Sequence, residues 1–313
     1  MEIIRGIENI NCIDGKTAVT IGVFDGVHIG HQTIIRMAVD FAKMINGKSV
    51  VVTFEPHPLA VLRPDSAPPL LTATDLKADY IEKLGVDFML VIPFSREVAN
   101  MNAEEFVDRI LLEKLHAAYV VVGEDFSFGR NRRGTIEFLN LYGGPKGLEV
   151  IAVPHIKKDN IIISSTEVRE RLQKGDISSV RELTGRFPRF RGKVVHGFGR
   201  GGTAVGFPTA NVERIYNELL PKAGVYAGYA WVDDSRLPCV VDIGWSPTFG
   251  DLKKPEIHVH ILGFKRDIYG KRIDVELISR LRDEMTFSGI DELKKQIEAD
   301  IKQAEELLAH DPL

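Results

Sequence analysis

Two histidines three residues apart, His28 and His31, close the stretch Gly22-Val23-Phe24-Asp25-Gly26-Val27-His28-Ile29-Gly30-His31, which follows a short apolar run. A break at Asp25-Gly26 precedes a pattern of helical period, so the stretch reads as strand, tight turn and helix start. Residues three apart share one side of a helix, which puts both imidazoles on its first turn. Each can offer a hydrogen bond or a positive charge to an anion. Backbone N–H groups at a helix start, with a dipole equivalent to about half a positive charge, favour the same ligand, a phosphate chain. Gly22, Gly26 and Gly30 leave backbone bare for close approach, and Phe24 and Asp25 complete the turn. A metal would need more ligands than Asp25 supplies, and simple capping of the helix by the pair is the plainer alternative.

Other clusters suit the same chemistry. Ser164, Ser165 and Thr166 precede another helical pattern, with Arg169 in its first turn. Capping explains the hydroxyls without any ligand, yet an arginine beside a second helix start would give a triphosphate two positive ends. Phe54 and His57 lie in the proline-stiffened loop Thr53-Phe54-Glu55-Pro56-His57-Pro58, which follows a predicted strand. Asp125, Phe126 and Phe128 lie in the segment 123–134 with three arginines, a composition suited to an aromatic ring plus an anion. Gly197, Gly199 and Gly202 have GxGxxG spacing, but a strand-like stretch follows them, so they read as a flexible loop and not a dinucleotide fingerprint. Thr209 and Asn211 are alternate residues of that strand and share a face, where a hydroxyl and an amide can contact Mg2+ and phosphate.

These residues need a frame to hold them. After the first strand, strands are predicted at Ser49–Phe54, Phe88–Ile92, Ala118–Val122 and Leu148–Val153, alternating with helices at Gly30–Asn46, Thr74–Leu84, Asn102–Leu115 and Thr135–Tyr142. Such alternation implies an α/β, doubly wound parallel sheet, whose ligands sit at the carboxyl ends of its strands. The first helix should stop at Gly47 in the C′ position. Past Thr184-Gly185-Arg186-Phe187-Pro188 the pattern changes to apolar or alternating segments from Phe190 to Ile278, the spacing of an antiparallel β-barrel. A terminal helix, Asp291–His310, has an inward stripe of Leu293, Ile297, Ile301 and Leu308. Two domains are expected, 1–185 and 186–313, in keeping with a length of 313 residues.

Composition excludes several classes. A net charge of -4 gives no basic field, so no nucleic acid partner is expected. No stretch reaches the ~18 apolar residues of a membrane helix, and no membrane partner is expected. Cys12 and Cys239, far apart and outside any CxxC pattern, suggest neither a disulfide framework nor zinc, so a reducing, cytoplasmic setting is expected.

The His-Ile-Gly-His run after a strand resembles the signature of the nucleotidyltransferase superfamily. Taken with Thr53 to Pro58, Gly123 to Gly129, Ser164 to Thr166 with Arg169, Gly206 to Asn211, Gly224-Val225-Tyr226-Ala227, and Leu281-Arg282-Asp283-Glu284 followed by Phe287, the chain resembles the bacterial bifunctional riboflavin kinase/FAD synthetase family over nearly its whole length. The resemblance implies a nucleotidyltransferase-like N-terminal half that transfers the adenylyl group of ATP to FMN, giving FAD and pyrophosphate. It implies a riboflavin-kinase-like C-terminal barrel that phosphorylates the ribityl 5′-hydroxyl. ATP, Mg2+ and flavins (riboflavin, FMN, FAD) are then the small molecules handled. His28, His31 and Arg169 would work on the ATP phosphates with Ser164, Ser165 and Thr166. Phe54, His57, Asp125, Phe126, Phe128 and Arg282 would contact flavin, and Gly197, Gly199, Gly202, Thr209 and Asn211 would serve the second ATP and its metal.

One position departs from the family. Counting back from Tyr269-Gly270 by the bacterial spacing to the glutamate that serves relatives as kinase base lands on His258, with Glu256 two residues earlier on the same strand face. Either a bulge brings Glu256 into place, or His258 is the base, or the kinase is weak or lost; Asp242, where asparagine is usual, bears on the same choice. The alternatives are an FMN adenylyltransferase whose barrel binds flavin without phosphorylating it, and a flavin-binding regulator without turnover. An aminoacyl-tRNA synthetase reading of His-Ile-Gly-His lacks a lysine-rich partner loop, a basic surface and chain for a tRNA-binding module.

Overall fold

Thr17–Ile21 is β-branched at every position but Ala18 and buried throughout, as a central parallel strand must be when helices cover both faces. In the computed structural model, which describes residues 1–10, 13–196, 206–246 and 254–309, it is the second strand of a six-stranded sheet. The strands are β1 (Glu2–Arg5), β2 (Thr17–Ile21), β3 (Lys48–Glu55), β4 (Phe88–Pro93), β5 (Ala117–Gly123) and β6 (Glu149–Val153). Their order is β1-β4-β3-β2-β5-β6, with every neighbouring pair parallel, which is the doubly wound sheet expected. The edge strand β1 lies outside that expectation, because four residues with one buried position carry almost no periodic signal.

Helix α1 (Ile29–Met44) buries Ile35, Ala38, Val39 and Ala42. It shares its face of the sheet with α3 (Thr74–Glu82), which follows the single turn α2 (Pro58–Leu62). The left-handed residue after α1 is Asn46, at φ 50°, and not Gly47. Gly47 answers a different need: a Cβ there would lie 2.1 Å from the Lys16 carbonyl oxygen. The other face is covered by α5 (Ala103–Glu105) with the π turns that continue it through Lys114, and by α6 (Ile136–Phe138); the short α4 (Arg96–Asn100) precedes them. Alternation along β3 divides the layers, Val50 and Val52 facing α5 and Val51 facing α1.

After the hairpin β7 (Lys157–Lys158) and β8 (Ile161–Ile162) come α7 (Ser165–Lys174) and α8 (Ile177–Thr184). Asp176 caps α8 by accepting from the Ser179 N–H at 3.1 Å, and Gly185 ends it at φ 71°. The remaining strands are β9 (Arg189–Val195), β10 (Ala210–Arg214), β11 (Gly224–Val232), β12 (Ser235–Ser246), β13 (Lys254–Ile261) and β14 (Arg272–Arg282). They close as β10-β13-β12-β11-β14-β9, the antiparallel barrel expected, and α9 (Ile290–Leu308) follows. Tyr226, Val241 and Val259, in register on adjacent strands, are buried inside the barrel. Val225, Ala227 and Tyr229 point the opposite way, into a cluster with Ala304 and Leu308 of α9.

The chain separates into two compact units, Met1–Ser165 and Thr166–Leu313. This division falls ahead of the expected 185/186 junction because α7 and α8 pack with the barrel. The Lys222 N–H donates to the Leu172 carbonyl at 3.2 Å, and α8 lies against β14.

Candidate active sites

In the first unit the strand order reverses between β2 and β5, and an open α/β sheet forms its ligand crevice at such a switch, beyond the carboxyl ends of the strands. The loop from β2 into α1 leaves at that point, and the loop after β5 leaves beside it. His28 is the N-cap of α1: its Nδ1 accepts from the His31 backbone N–H at 3.3 Å, which puts the ring proton of the neutral form on Nε2. The two imidazoles stack with centroids 3.6 Å apart, and the Phe24 ring meets His31 edge-on at 5.3 Å. His28 is 5% exposed, held among these rings and the backbone, while His31 is half-buried. Capping and ligand binding are therefore not exclusive, since different atoms of one ring serve each.

The glycines expected to admit phosphate also fit the rings in. A Cβ on Gly22 would lie 2.9 Å from the Phe24 ring, and one on Gly30 would lie 3.2 Å from the His28 ring. Gly26 takes φ 82°, and Phe24 and Val27 take φ 49° and 38°, so three residues of this loop sit in the left-handed region. Asp25 is 2% exposed, and its carboxylate accepts from the N–H groups of Leu71 and Thr72 at 3.0 and 3.1 Å. That engagement gives Asp25 a bracing role in the loop. The Ser165 hydroxyl donates to the Asp25 carbonyl at 2.8 Å, which ties Ser165 to the histidine loop. Ser164 is half-buried beside it; Thr166 is exposed, and Arg169 half-buried, on α7 of the second unit.

Phe54 is half-buried at the end of β3 and meets Phe94 edge-on at 5.6 Å; β3 lies directly beside β2. His57 caps α2, its Nδ1 accepting from the Leu59 N–H at 3.1 Å. After β5, Asp125 is exposed, and Gly123 lets it fold back, since a Cβ there would lie 3.2 Å from its Oδ1. Phe128, an expected flavin contact, is packed into the core among Phe106, Phe126 and Phe138, with its ring over Gly134. Phe126, stacked on it at 5.5 Å and half-buried, is the ring of that pair with an open side.

Sequence reasoning missed Lys77. Its Nζ donates to the Val23 carbonyl at 2.8 Å, beneath the histidine loop, and the Thr53 hydroxyl donates to the same oxygen at 3.0 Å. Burial lowers its pKa, while Asp25 and Glu55 draw it back up. A lysine inside an amphipathic helical pattern gives no signal that it faces inward.

The second cluster lies on the barrel face that α9 partly covers. Register sets Asn211 opposite His258, His258 opposite Asp242 and Asp242 opposite Val225, so the row shares one face. His258 Nδ1 lies 2.6 Å from Asn211 Oδ1; an amide oxygen only accepts, so Nδ1 is the donor. On its other side His258 Nε2 stands 3.4 Å from Glu256 Oε2. Burial raises the Asp242 pKa, opposed first by His258. His260, unremarked in the sequence reading, bonds through Nδ1 to the Pro208 carbonyl at 2.8 Å and so tethers the segment that carries Thr209. The guanidinium of Arg282, an expected flavin contact, is occupied by a two-pronged pair with Asp300 of α9, at 2.9 and 2.8 Å, which ties β14 to the helix. Gly197, Gly199 and Gly202, like Cys12, lie outside the described residues.

Thr209 and Asn211 offer a hydroxyl and an amide oxygen, hard neutral donors that suit Mg2+ when phosphates and water complete its shell. Among the described residues no group of three or more His, Cys, Asp or Glu could hold a metal by itself. Among them, too, no helix is long and apolar enough to cross a membrane.

Comparison with known proteins covers both units. Residues 11–167 match the family described as FAD synthetase, and residues 184–308 the family described as riboflavin kinase. The bifunctional riboflavin kinase/FMN adenylyltransferase of Buchnera aphidicola from Acyrthosiphon pisum is 36% identical over 303 residues, 96% of each chain. Proteins of the same name are 36% identical in Pseudomonas fluorescens, over 99% of this chain and 98% of that one, and 35% identical in Escherichia coli K12, over 98% and 97%. A crystal structure described as a macrolide-efflux protein of Streptococcus pneumoniae superposes with a TM-score of 0.87 at 29% identity, covering 97% of this chain and 99% of that one.

Proposed function

The chain belongs to the bifunctional riboflavin kinase/FMN adenylyltransferase family, and on that premise we propose which of its residues carry each reaction. It phosphorylates riboflavin to FMN and adenylates FMN to FAD, with ATP the donor in both. We assign adenylyl transfer to residues 1–185 and phosphorylation to 186–313, in the cytoplasm, where ATP is supplied.

In adenylyl transfer an FMN phosphate oxygen bonds to the α-phosphorus of ATP while the bond from that phosphorus to the bridging oxygen breaks and pyrophosphate leaves. The nucleophile is already ionised, so the chain's task is alignment and charge stabilisation. His28 and His31 supply donors from one stacked face at the start of α1, and the helix dipole adds to them. Ser164, Ser165, Thr166 and Arg169 are assigned to the phosphates on the sequence pattern. Phe54, His57 and Phe126 are assigned to the flavin, with Asp125 beside it. The stacked pair at the switch between β2 and β5 is the observation that carries this reading.

Phosphorylation needs the riboflavin hydroxyl to lose its proton as it attacks the γ-phosphorus of ATP. We assign that proton to His258 Nε2: the Asn211 contact fixes the ring with Nδ1 protonated, and Glu256 stands where it stabilises the imidazolium once formed. Thr209 and Asn211 would hold Mg2+, which neutralises phosphate charge when bound.

Incubation with riboflavin and, separately, with FMN, each with Mg-ATP, followed by chromatography of the flavins, tests both assignments. FMN from the first and FAD from the second are expected. FAD without FMN production would leave the barrel a flavin-binding module, and no ATP consumption at all would leave only a binding protein.

A further inference from the structure

The loop that carries His28 and His31 is braced from beneath by one lysine side chain. Lys77 is 3% exposed on the buried side of α3, and its Nζ shares the Val23 carbonyl with the Thr53 hydroxyl, at 2.8 and 3.0 Å. Burying a cation is costly, and a site that needed only packing would be served better by Leu or Met. What the cation holds is the residue before Phe24, where the chain enters a left-handed turn with φ 49° at Phe24 and 38° at Val27. Bulky and β-branched residues avoid that region, so it persists only where neighbours over-determine it. Phe24 then meets His31 edge-on at 5.3 Å, and His31 stacks on His28 at 3.6 Å.

The tie is reciprocal. Asp25 of the loop accepts from the backbone of Leu71 and Thr72, while Lys77, a few residues further along, donates to the backbone of the loop. Two fasteners of opposite polarity therefore lock residues 22–28 against residues 71–77. Isolated strain in a surface turn needs no such bracing; a turn whose ring positions set two reacting imidazoles does.

We infer that Lys77 is a positioning residue for adenylyl transfer, fixing through the Val23 carbonyl the turn that sets the His28 and His31 rings. Its burial keeps it away from the nucleotide, so it acts through Val23, Phe24 and His31. The inference rests on the assignment of those histidines to the ATP phosphates.

The test is Lys77→Met in the full chain, with kcat and KM read for FAD formation and riboflavin phosphorylation read on the same preparation. Misplacement of aligned groups predicts a fall in transfer kcat of roughly 30-fold or more. The KM for FMN and the kinase rate should stay within about twofold of wild type. Thr53→Val removes the second donor from the same carbonyl without removing a charge, and a fall in transfer kcat of roughly fivefold is expected. A Lys77→Met enzyme with lower thermal stability but unchanged transfer kcat below its melting range would overturn the inference, because a structural brace alone behaves that way. If Lys77→Met does not fold, Thr53→Val decides, and unchanged kcat there overturns it. Normal transfer by His28→Ala would overturn the site assignment itself; its loss with normal transfer in both other variants would overturn only the role of Lys77.

Discussion

His258 Nδ1 lies 2.6 Å from Asn211 Oδ1, a contact between adjacent barrel strands that joins the residue to which we assign the kinase proton to a residue we assign to the metal. The remaining ring nitrogen, Nε2, is the atom toward Glu256. Loss of a positioned base costs about 10²–10⁴ in rate, and His258→Ala should lower riboflavin phosphorylation by that order. Glu256→Gln should cost roughly tenfold, since it removes only the charge that stabilises the imidazolium. Adenylyl transfer by both variants should match wild type. A larger loss in Glu256→Gln than in His258→Ala would make the carboxylate the base.

Thr209 and Asn211 present oxygen donors only, so the barrel site should prefer Mg2+ over softer metals. Thr209→Val removes the hydroxyl assigned to the metal without changing shape. The Mg2+ concentration for half-maximal phosphorylation should rise roughly tenfold in this variant, by the cost of about one lost ligand interaction. A metal titration of FMN production at fixed ATP checks this, and an unchanged midpoint would remove Thr209 from the metal site.

Asp300 is almost fully buried and pairs with Arg282 through two parallel hydrogen bonds. Asp300→Asn leaves Arg282 half-buried with its hydrogen bond to the Asp283 carbonyl, so the variant should lower barrel stability by about 1–3 kcal/mol in denaturant unfolding. Because the pair also fixes Arg282, the KM for riboflavin should rise in the same variant. A large stability loss with unchanged KM would confine Arg282 to tethering α9.

Asp283 has its pKa pulled down to about 2, first by the hydrogen bond from Arg280 and then by that from Lys222. A carboxylate depressed in the folded state contributes stability above its unfolded pKa and loses it as pH falls through the folded value. The stability difference between wild type and Asp283→Asn should therefore be constant above about pH 4 and shrink between there and about pH 2. Unfolding midpoints measured across that range check it; a difference that does not shrink on acidification would dissociate Asp283 from its cationic partners. The group is exposed, so the effect is modest and salt should weaken it.

The strands that bury both faces were legible because β-branched runs between glycine and proline punctuation have few other outcomes, as at Thr17–Ile21 and Lys48–Glu55. The short strand β1 was not, because its pairing with β4 is set by the sheet and not by its own four residues. In the sites, spacing alone brought out His28 and His31, which a single helical turn places together. Long-range partners were silent: nothing local tells that Lys77 reaches Val23, that Asp25 accepts from Leu71 and Thr72, or that Arg282 pairs with Asp300. The packing of Phe128 was silent for the same reason, since nothing in a polar loop's own residues tells that its ring stands among Phe106 and Phe126.

The assignment of the His28 and His31 imidazoles to the ATP phosphates carries the account of FAD formation. Its most direct test measures FAD production from FMN and Mg-ATP by the double variant His28→Ala, His31→Ala, with riboflavin phosphorylation measured on the same sample. Removing one preorganised donor costs about 10²–10³ in rate, so transfer should fall by about 10³ or more while FMN production stays within about twofold of wild type. Wild-type FAD production by the double variant would contradict the claim.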